Sequence, residues 1–575
     1  MLIVKKPRFT LFLALALLVT ACGQSEAPQP AVDAVEARLA ASSPTAKAAV
    51  AMPDSESASV AEQIIRDGGN AVDAAIAAHF VLAVTEQEAG SLGGGGFMLI
   101  WMDGEATFLD YREVAPLAAH RDMYLDEDGE ADSELSRFGH LSVGVPGTVA
   151  GLWAAHQAYG TLPWADLVAP AIGFARDGYT ITADQASLAA MALARHEGKT
   201  NFGDYFAGMV EGAVFRQPEL AEALERIAEF GPDGFYRGTT ADLIVAEMER
   251  GGGLITHADL ERYEPTWRDP LVGRWRDYTV LSAPPPSSGG FAVIQLLRIK
   301  DLLAHEFEGH AWNSAQYMHL FAEIQKRVFA DRAEYLGDPD YFDVPMDRLI
   351  SDDYLRQRAL EVDPENISPL DSVKPGLEPM NTTHFSIVDK DGNAVANTST
   401  LNLSFGSGVV VTGAGIALND EMDDFSAKPG ALNAYGVVGN VANEIQPGKK
   451  PLSSMSPTML VRDGEVQLLA GSPGGSTIFS SVYHAIVNIL DFGMTPREAV
   501  GATRIHHQLL DPGLITFSLG DEPLPEASVS ELSERGYRVE PHFFRFGDLQ
   551  VIVRQGDGWA AASDPRNRGD SRVIE

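Results

Sequence analysis

The chain has 575 residues, of which 45% are hydrophobic, 21% charged and 8% aromatic, a globular composition and not a fibrous or disordered one. Its 80 acidic side chains against 43 basic ones leave a formal charge of −37, a solvated surface that repels nucleic acid and anionic lipid and says little about a substrate. The length allows a large core with no metal or disulfide staple, and Cys22, the only cysteine, rules out an intramolecular disulfide.

Lys5, Lys6 and Arg8 precede the apolar run Leu11 to Val19, and Thr20, Ala21 and Cys22 follow. A basic start, a short apolar stretch and small residues before a cleavage point make residues 1–21 a secretory signal, too short to span a bilayer. Val19-Thr20-Ala21-Cys22 also resembles the bacterial lipobox, whose cysteine is lipidated and becomes the mature N-terminus. A plain signal peptide with an incidental cysteine is the alternative. The sole cysteine stands where the motif requires one, which favours lipidation at Cys22 and a protein on the periplasmic side of a bacterial membrane, held by the lipid alone. Residues 22–45, rich in Ala, Pro, Ser and Gln, read as a flexible tether.

Ser55 to Thr85 reads as helix, interrupted at Asp67-Gly68-Gly69-Asn70. Gly93 to Gly96 break the pattern before a buried strand at Phe97 to Trp101; four glycines permit close backbone approach or positive φ. No Gly-Lys-Ser/Thr follows, so a phosphate loop is disfavoured. Residues 147–370 are mainly helical in pattern, including Leu167 to Arg176 and Ala315 to Tyr335, with an irregular loop at Pro284-Pro285-Pro286-Ser287-Ser288-Gly289-Gly290. Beyond residue 380 strands dominate: His384 to Asp389, Ala394 to Leu401, Val409 to Val411, Thr458 to Val461 and Val466 to Leu469. A helix at Phe479 to Leu490 follows Gly474-Gly475-Ser476. Helices first and strands later predict helices layered on sheets.

Lys390-Asp391-Gly392 is a hairpin turn signal. A three-residue turn pairs 389 with 393 and places Thr382 opposite Thr400, where two hydroxyls come within hydrogen-bonding reach. A one-residue slip places Thr383 there instead. A threonine-rich strand pair with no chemistry is the simpler reading, since threonine suits sheets.

The stretch Thr382-Thr383-His384-Phe385-Ser386, with Asp389 to Ala396, resembles the start of the small subunit of γ-glutamyltransferases, in the N-terminal-nucleophile hydrolase superfamily. So do Asp423-Asp424-Phe425-Ser426, Pro451 to Thr458 and Gly471 to Ser476. Gly69 to Ala75, the four glycines with Phe97-Met98, Tyr111-Arg112-Glu113, Gly144 to Gly151 and the Pro284 loop fit as well. The resemblance runs in order from about residue 47 to the C-terminus. Glu86 to Ser91 departs from the family pattern.

The resemblance implies a four-layer αββα sandwich and a precursor that cuts itself between Asn381 and Thr382. A large subunit, 46–381, and a small catalytic subunit, 382–575, would then form a heterodimer. Thr382 would be the nucleophile and its freed α-amine the base. Thr400 would hold the Thr382 hydroxyl, and Gly474 and Gly475 would form the oxyanion hole. Arg112 matches the family's α-carboxylate-binding arginine, assisted by Ser453 and Ser454. Asn402, Glu421 and Asp424 match its ammonium-binding set, with Glu421 where some members have glutamine. Tyr435 falls in a lid-like segment. His384 shares a strand face with Thr382 and is read as structural. The implied substrates are glutathione and other γ-glutamyl compounds, with water, amino acids or peptides as acceptors; no cofactor or metal is expected. Rival readings are a cephalosporin or glutaryl acylase, a poly-γ-glutamate-cleaving enzyme, or a lipoprotein that binds γ-glutamyl compounds without turnover.

Overall fold

Asp389 fixes the hairpin predicted around Lys390-Asp391-Gly392. Its Oδ1 accepts the Asp391 and Asn393 N–H groups at 2.9 and 3.0 Å, an Asx turn, and Gly392 takes φ +82°. The strands Thr382–Val388 and Ala394–Thr400 then pair antiparallel, with Thr382 opposite Thr400 and Val388 opposite Ala394. The register is the expected one and not the one-residue slip. Asp389 Oδ2 also accepts the Ala71 N–H at 3.0 Å, tying the turn to the start of the buried helix Ala71–Thr85.

The computed structural model describes residues 40–369, 382–428, 441–509 and 511–575; the signal segment, Cys22, Asn381 and Tyr435 lie outside them. Among the described residues, two antiparallel seven-stranded sheets stack face to face. One runs in the order Asp570–Ile574, Ala48–Met52, Thr382–Val388, Ala394–Thr400, Gly95–Met102, Glu105–Asp110, Thr266–Arg268. The other runs Ala40–Ser43, Gly558–Ser563, Gln550–Gln555, Glu465–Gly471, Thr458–Arg462, Tyr278–Ser282, Leu271–Trp275.

Strand alternation sorts the side chains into layers. Ala49, Phe97, Leu99, Val388 and Ala396 meet Leu281, Met459, Leu469 and Ile552 between the sheets. Val50, Ile100, Phe385 and Ile387 face outward onto Ala71–Thr85 and its neighbouring helices. Val280, Leu460, Leu468 and Val551 face outward onto Gly289–Leu302, Ala315–Tyr335 and Ile478–Leu490. The result is the expected helix–sheet–sheet–helix sandwich.

Two readings change. Strands do not concentrate after residue 380: seven of the fourteen sheet strands precede Thr382, including Thr266–Arg268, Leu271–Trp275 and Tyr278–Ser282 in the stretch read as mainly helical. These strands have only three to five residues, too short for a clear period, and only their partners from distant sequence define them. In addition, Ala40–Ser43, within the stretch read as a tether, pairs with Trp559–Ala562 as an edge strand.

Candidate active site

Thr382 opens its strand at one end of the first of the two sheets, 7% exposed, and Thr400 opposite is 4% exposed. Two turns converge there because of the four glycines. A Cβ at Gly93 or Gly94 would strike the carbonyl oxygen of Ala417 or Thr400, and one at Gly95 would stand 2.6 Å from that of Tyr111. None of the four has positive φ, so they serve close approach and not an unusual conformation. They let the segments carrying Arg112 and Glu421 pack against the end of the Thr400 strand.

From Thr400 the polar contacts run outward. The Thr400 hydroxyl accepts the Asn402 N–H at 2.8 Å, and Asn402, at φ +73°, donates its amide to the Asp420 carbonyl at 3.0 Å. The next residue, Glu421, accepts from Arg112 Nη1, and Asp424 accepts from Arg112 Nη2. Arg112 Nε and Nη2 also donate to the Pro451 and Leu452 carbonyls at 3.3 and 3.4 Å, which brings in the Ser453-Ser454 segment. Arg112 is 1% exposed.

Burial dominates the electrostatics. It would depress the Arg112 pKa, but Glu421, Asp424 and Glu113 overcome it and keep the guanidinium charged. Burial raises the Glu421 and Asp424 carboxyls, with Arg112 opposing, and pushes Glu113 up to about 8. Among the described residues Glu421 Oε2, Asp424 Oδ1 and both Glu113 oxygens are buried with no hydrogen-bond partner, Glu113 Oε2 lying 3.9 Å from Arg112 Nη1. Arg112 and its carboxylates therefore hold one another with acceptor capacity left over, a set matched to a ligand bearing both charges.

Thr382 also lines a cavity, with Glu86, Glu88, Pro473, Gly474, Phe544, Phe546 and Arg568 among the walls. Gly474 takes φ +127° and Gly475 φ +56° ahead of Ile478–Leu490, and a Cβ at Gly474 would strike the Thr477 hydroxyl. The segment that departs from the family pattern is thus a wall of this cavity. Its Glu86 accepts the Thr383 hydroxyl at 2.7 Å on the opposite strand face. His384 is buried between Thr398 and Ser386, at 2.8 and 3.1 Å, and burial lowers its pKa to about 3; a neutral ring so enclosed suits a structural role.

The fold thus gathers Arg112, Thr382, Thr400, Asn402, Glu421, Asp424, Ser453, Ser454 and Gly474 at one end of the sheets, with Gly475 beside Gly474. Sequence reasoning missed Glu113, although Tyr111-Arg112-Glu113 had been singled out. It also missed Asn443, which donates to the Asp424 carbonyl at 2.7 Å and accepts the Leu452 N–H at 3.0 Å, so joining the acidic segment to the double serine. Arg332, whose Nε donates to the Ser288 hydroxyl at 2.9 Å, gave no signal: on Ala315–Tyr335 it looks like any charge on a helix.

The chain is similar to known proteins along most of its length. The family model described as gamma-glutamyltranspeptidase matches residues 57–574. The glutathione hydrolase proenzyme of Pseudomonas aeruginosa is 56% identical over 92% of this chain and 94% of its own. That of Escherichia coli is 44% identical over 91% and 90%. A cephalosporin acylase from Bacillus halodurans superposes with a TM-score of 0.82 at 27% identity, covering 97% of this chain and 100% of its own. A γ-glutamyltranspeptidase from Pseudomonas nitroreducens complexed with L-DON gives 0.56 at 53% identity over 56% and 96%. With a family model spanning most of the chain and relatives this similar along nearly their whole length, the chain belongs to the γ-glutamyltranspeptidase family of enzymes.

Proposed function

We propose that the protein is a self-processed γ-glutamyltransferase that cleaves glutathione and related γ-glutamyl compounds through a γ-glutamyl ester on Thr382. In maturation the Thr382 hydroxyl attacks the Asn381 carbonyl, the acyl group shifts from nitrogen to oxygen, and water hydrolyses the ester. This frees an α-amine with an ordinary pKa of about 7.7–8.0, able to act as a base near neutral pH. In turnover that amine takes the hydroxyl proton as Thr382 Oγ attacks the γ-carbonyl, then gives it to the departing amine. Water or an amino acid or peptide then takes the γ-glutamyl group from the ester. Thr400 orients the hydroxyl, and backbone N–H groups at Gly474 and Gly475 stabilise the oxyanion.

The observation that carries this reading is the clasp of Arg112 by Glu421 and Asp424 beside the Thr382–Thr400 pair. A γ-glutamyl head group has one carboxylate and one ammonium, so it can replace each partner of the clasp with a partner of its own. The carboxylate goes to Arg112, Ser453 and Ser454, and the ammonium to Asn402, Glu421 and Asp424. Purified protein should run as two chains, the smaller beginning Thr-Thr-His by N-terminal sequencing; a fully active single chain refutes the proposal. The likeness to a cephalosporin acylase favours one second reading, an acylase for glutaryl groups, which turnover of glutaryl anilide in preference to γ-glutamyl anilide would establish.

The N-terminal motif supports export and lipid anchoring at Cys22, and among the described residues no helix is long and apolar enough to cross a membrane. Labelled palmitate should enter the wild type, and Cys22→Ser should leave the membrane fraction; an unlabelled wild type rules the anchor out.

A further inference from the structure

The Pro284–Gly290 loop plays no part in the reaction just described, yet it lies against the double serine. The Ser453 N–H donates to the Pro286 carbonyl at 2.8 Å, and the Ser453 carbonyl accepts the Ser288 N–H at 2.7 Å. The Ser287 hydroxyl donates to the Met455 carbonyl at 2.6 Å. Gly289 packs so closely that a Cβ would stand 2.6 Å from the carbonyl oxygens of Ser454 and Met455.

Ser288 is the centre of this contact. Its hydroxyl donates to the Ser453 carbonyl at 2.8 Å and accepts from Arg332 Nε at 2.9 Å. A hydroxyl has one proton, and this one is committed. At the Ser288–Ser454 contact, 3.4 Å between oxygens, Ser454 must therefore be the donor at rest. That distance is a weak hold, so the Ser454 proton can turn to an arriving carboxylate. Arg332 is 3% exposed, and its charge helps hold Asp424 ionised.

We propose that Arg332 and Ser288 are positioning residues for the substrate α-carboxylate: Arg332 orients Ser288, Ser288 orients Ser453 and Ser454, and the Arg332 charge adds to that of Arg112. The inference rests on the γ-glutamyl reading above. It confines the pair's influence to ligands that carry the carboxylate.

Three competitive inhibitors separate the possibilities: L-glutamate carries the α-carboxylate and the α-ammonium, glutarate lacks the ammonium, and 4-aminobutyrate lacks the α-carboxylate and keeps only the γ one. Ser288→Ala and Arg332→Gln should each raise the inhibition constants of glutamate and glutarate about five- to tenfold, the scale of a lost hydrogen bond to a charged group. That of 4-aminobutyrate should stay within about twofold for Ser288→Ala, which leaves in place the Arg332 charge that helps hold Asp424 ionised. The double variant should be no worse than Arg332→Gln alone, since Ser288 acts only through the hydroxyl that Arg332 orients. Equal losses for all three ligands, or an additive double variant, overturn the inference. If Arg332→Gln fails to mature, Ser288→Ala, which removes a single oxygen, carries the test. Arg112→Gln keeps the two ideas apart. If it too fails to discriminate against carboxylates, the head-group reading falls; if it discriminates and Ser288→Ala does not, only the positioning role falls.

Discussion

The strand pair that carries Thr382 and the pocket that holds Arg112 are neighbours built on different principles. Thr382 faces Thr400 because seven consecutive residue pairs set a register, and the buried apolar faces on either side penalise a slip of one residue. Apart from the Asp389 side chain in the turn, that geometry rests on the backbone ladder. The Arg112 pocket is the reverse, since its charged groups come from segments far apart in sequence and hold one another in place. Such a pocket is only as stable as its mutual neutralisation, because removing one partner leaves the others buried and unpaired. The strand pair should therefore tolerate polar changes in shape while losing chemistry, and the pocket should lose recognition while keeping chemistry.

The largest expected effect breaks the strand side. Thr382→Ala removes the attacking oxygen and keeps the ladder, so the variant should fold, remain one uncleaved chain and have no measurable turnover. A cleaved Thr382→Ala chain would show that the hydroxyl is not the agent of cleavage.

Breaking the pocket side should cost less and do so selectively. Asp424→Ala leaves the substrate ammonium poorly paired, at a cost of about 2–5 kcal/mol, so kcat/KM for γ-glutamyl anilide should fall by more than about tenfold. Glutaryl anilide, which has no ammonium, should lose much less, and self-cleavage should survive. Equal losses on the two substrates would mean that Asp424 supports the fold or Thr382 instead of reading the amine.

The smallest effect concerns stability. Burial raises Glu113 from 4.5 to about 8, so between those values the folded protein keeps a proton that the unfolded chain has lost. Stability should consequently fall as pH rises through that window. Glu113→Gln cannot ionise and should flatten the fall, seen as a smaller drop in Tm between about pH 5 and about pH 8. An unchanged drop would place the pH sensitivity elsewhere, for example at Asp423, which burial raises to about 7.

Local chemistry made much of this legible in the chain itself. The Lys390-Asp391-Gly392 turn and the two-residue period of its strands gave Thr382 opposite Thr400 as the expected register, with a one-residue slip left open, because hairpin register depends on residues close in sequence. The helix boundaries around Asp67-Gly68-Gly69-Asn70 and the helix Ala315–Tyr335 followed from caps and periodicity in the same way. The family motifs picked out Arg112, Asp424 and the double serine one by one, but not that Arg112 would be clasped by two of the predicted ammonium ligands.

Tertiary structure decided what depends on distant partners. Thr266–Arg268 and Ala40–Ser43 are too short to announce themselves and are strands only because Phe108–Asp110 and Trp559–Ala562 supply their hydrogen bonds. Glu113 ceases to be an ordinary carboxylate only once folding removes its water. Arg332 becomes a neighbour of Ser288 only when Ala315–Tyr335 packs behind the Pro284 loop. Composition and period report what a residue prefers, whereas pKa and hydrogen-bond partner are set by what the rest of the chain places around it.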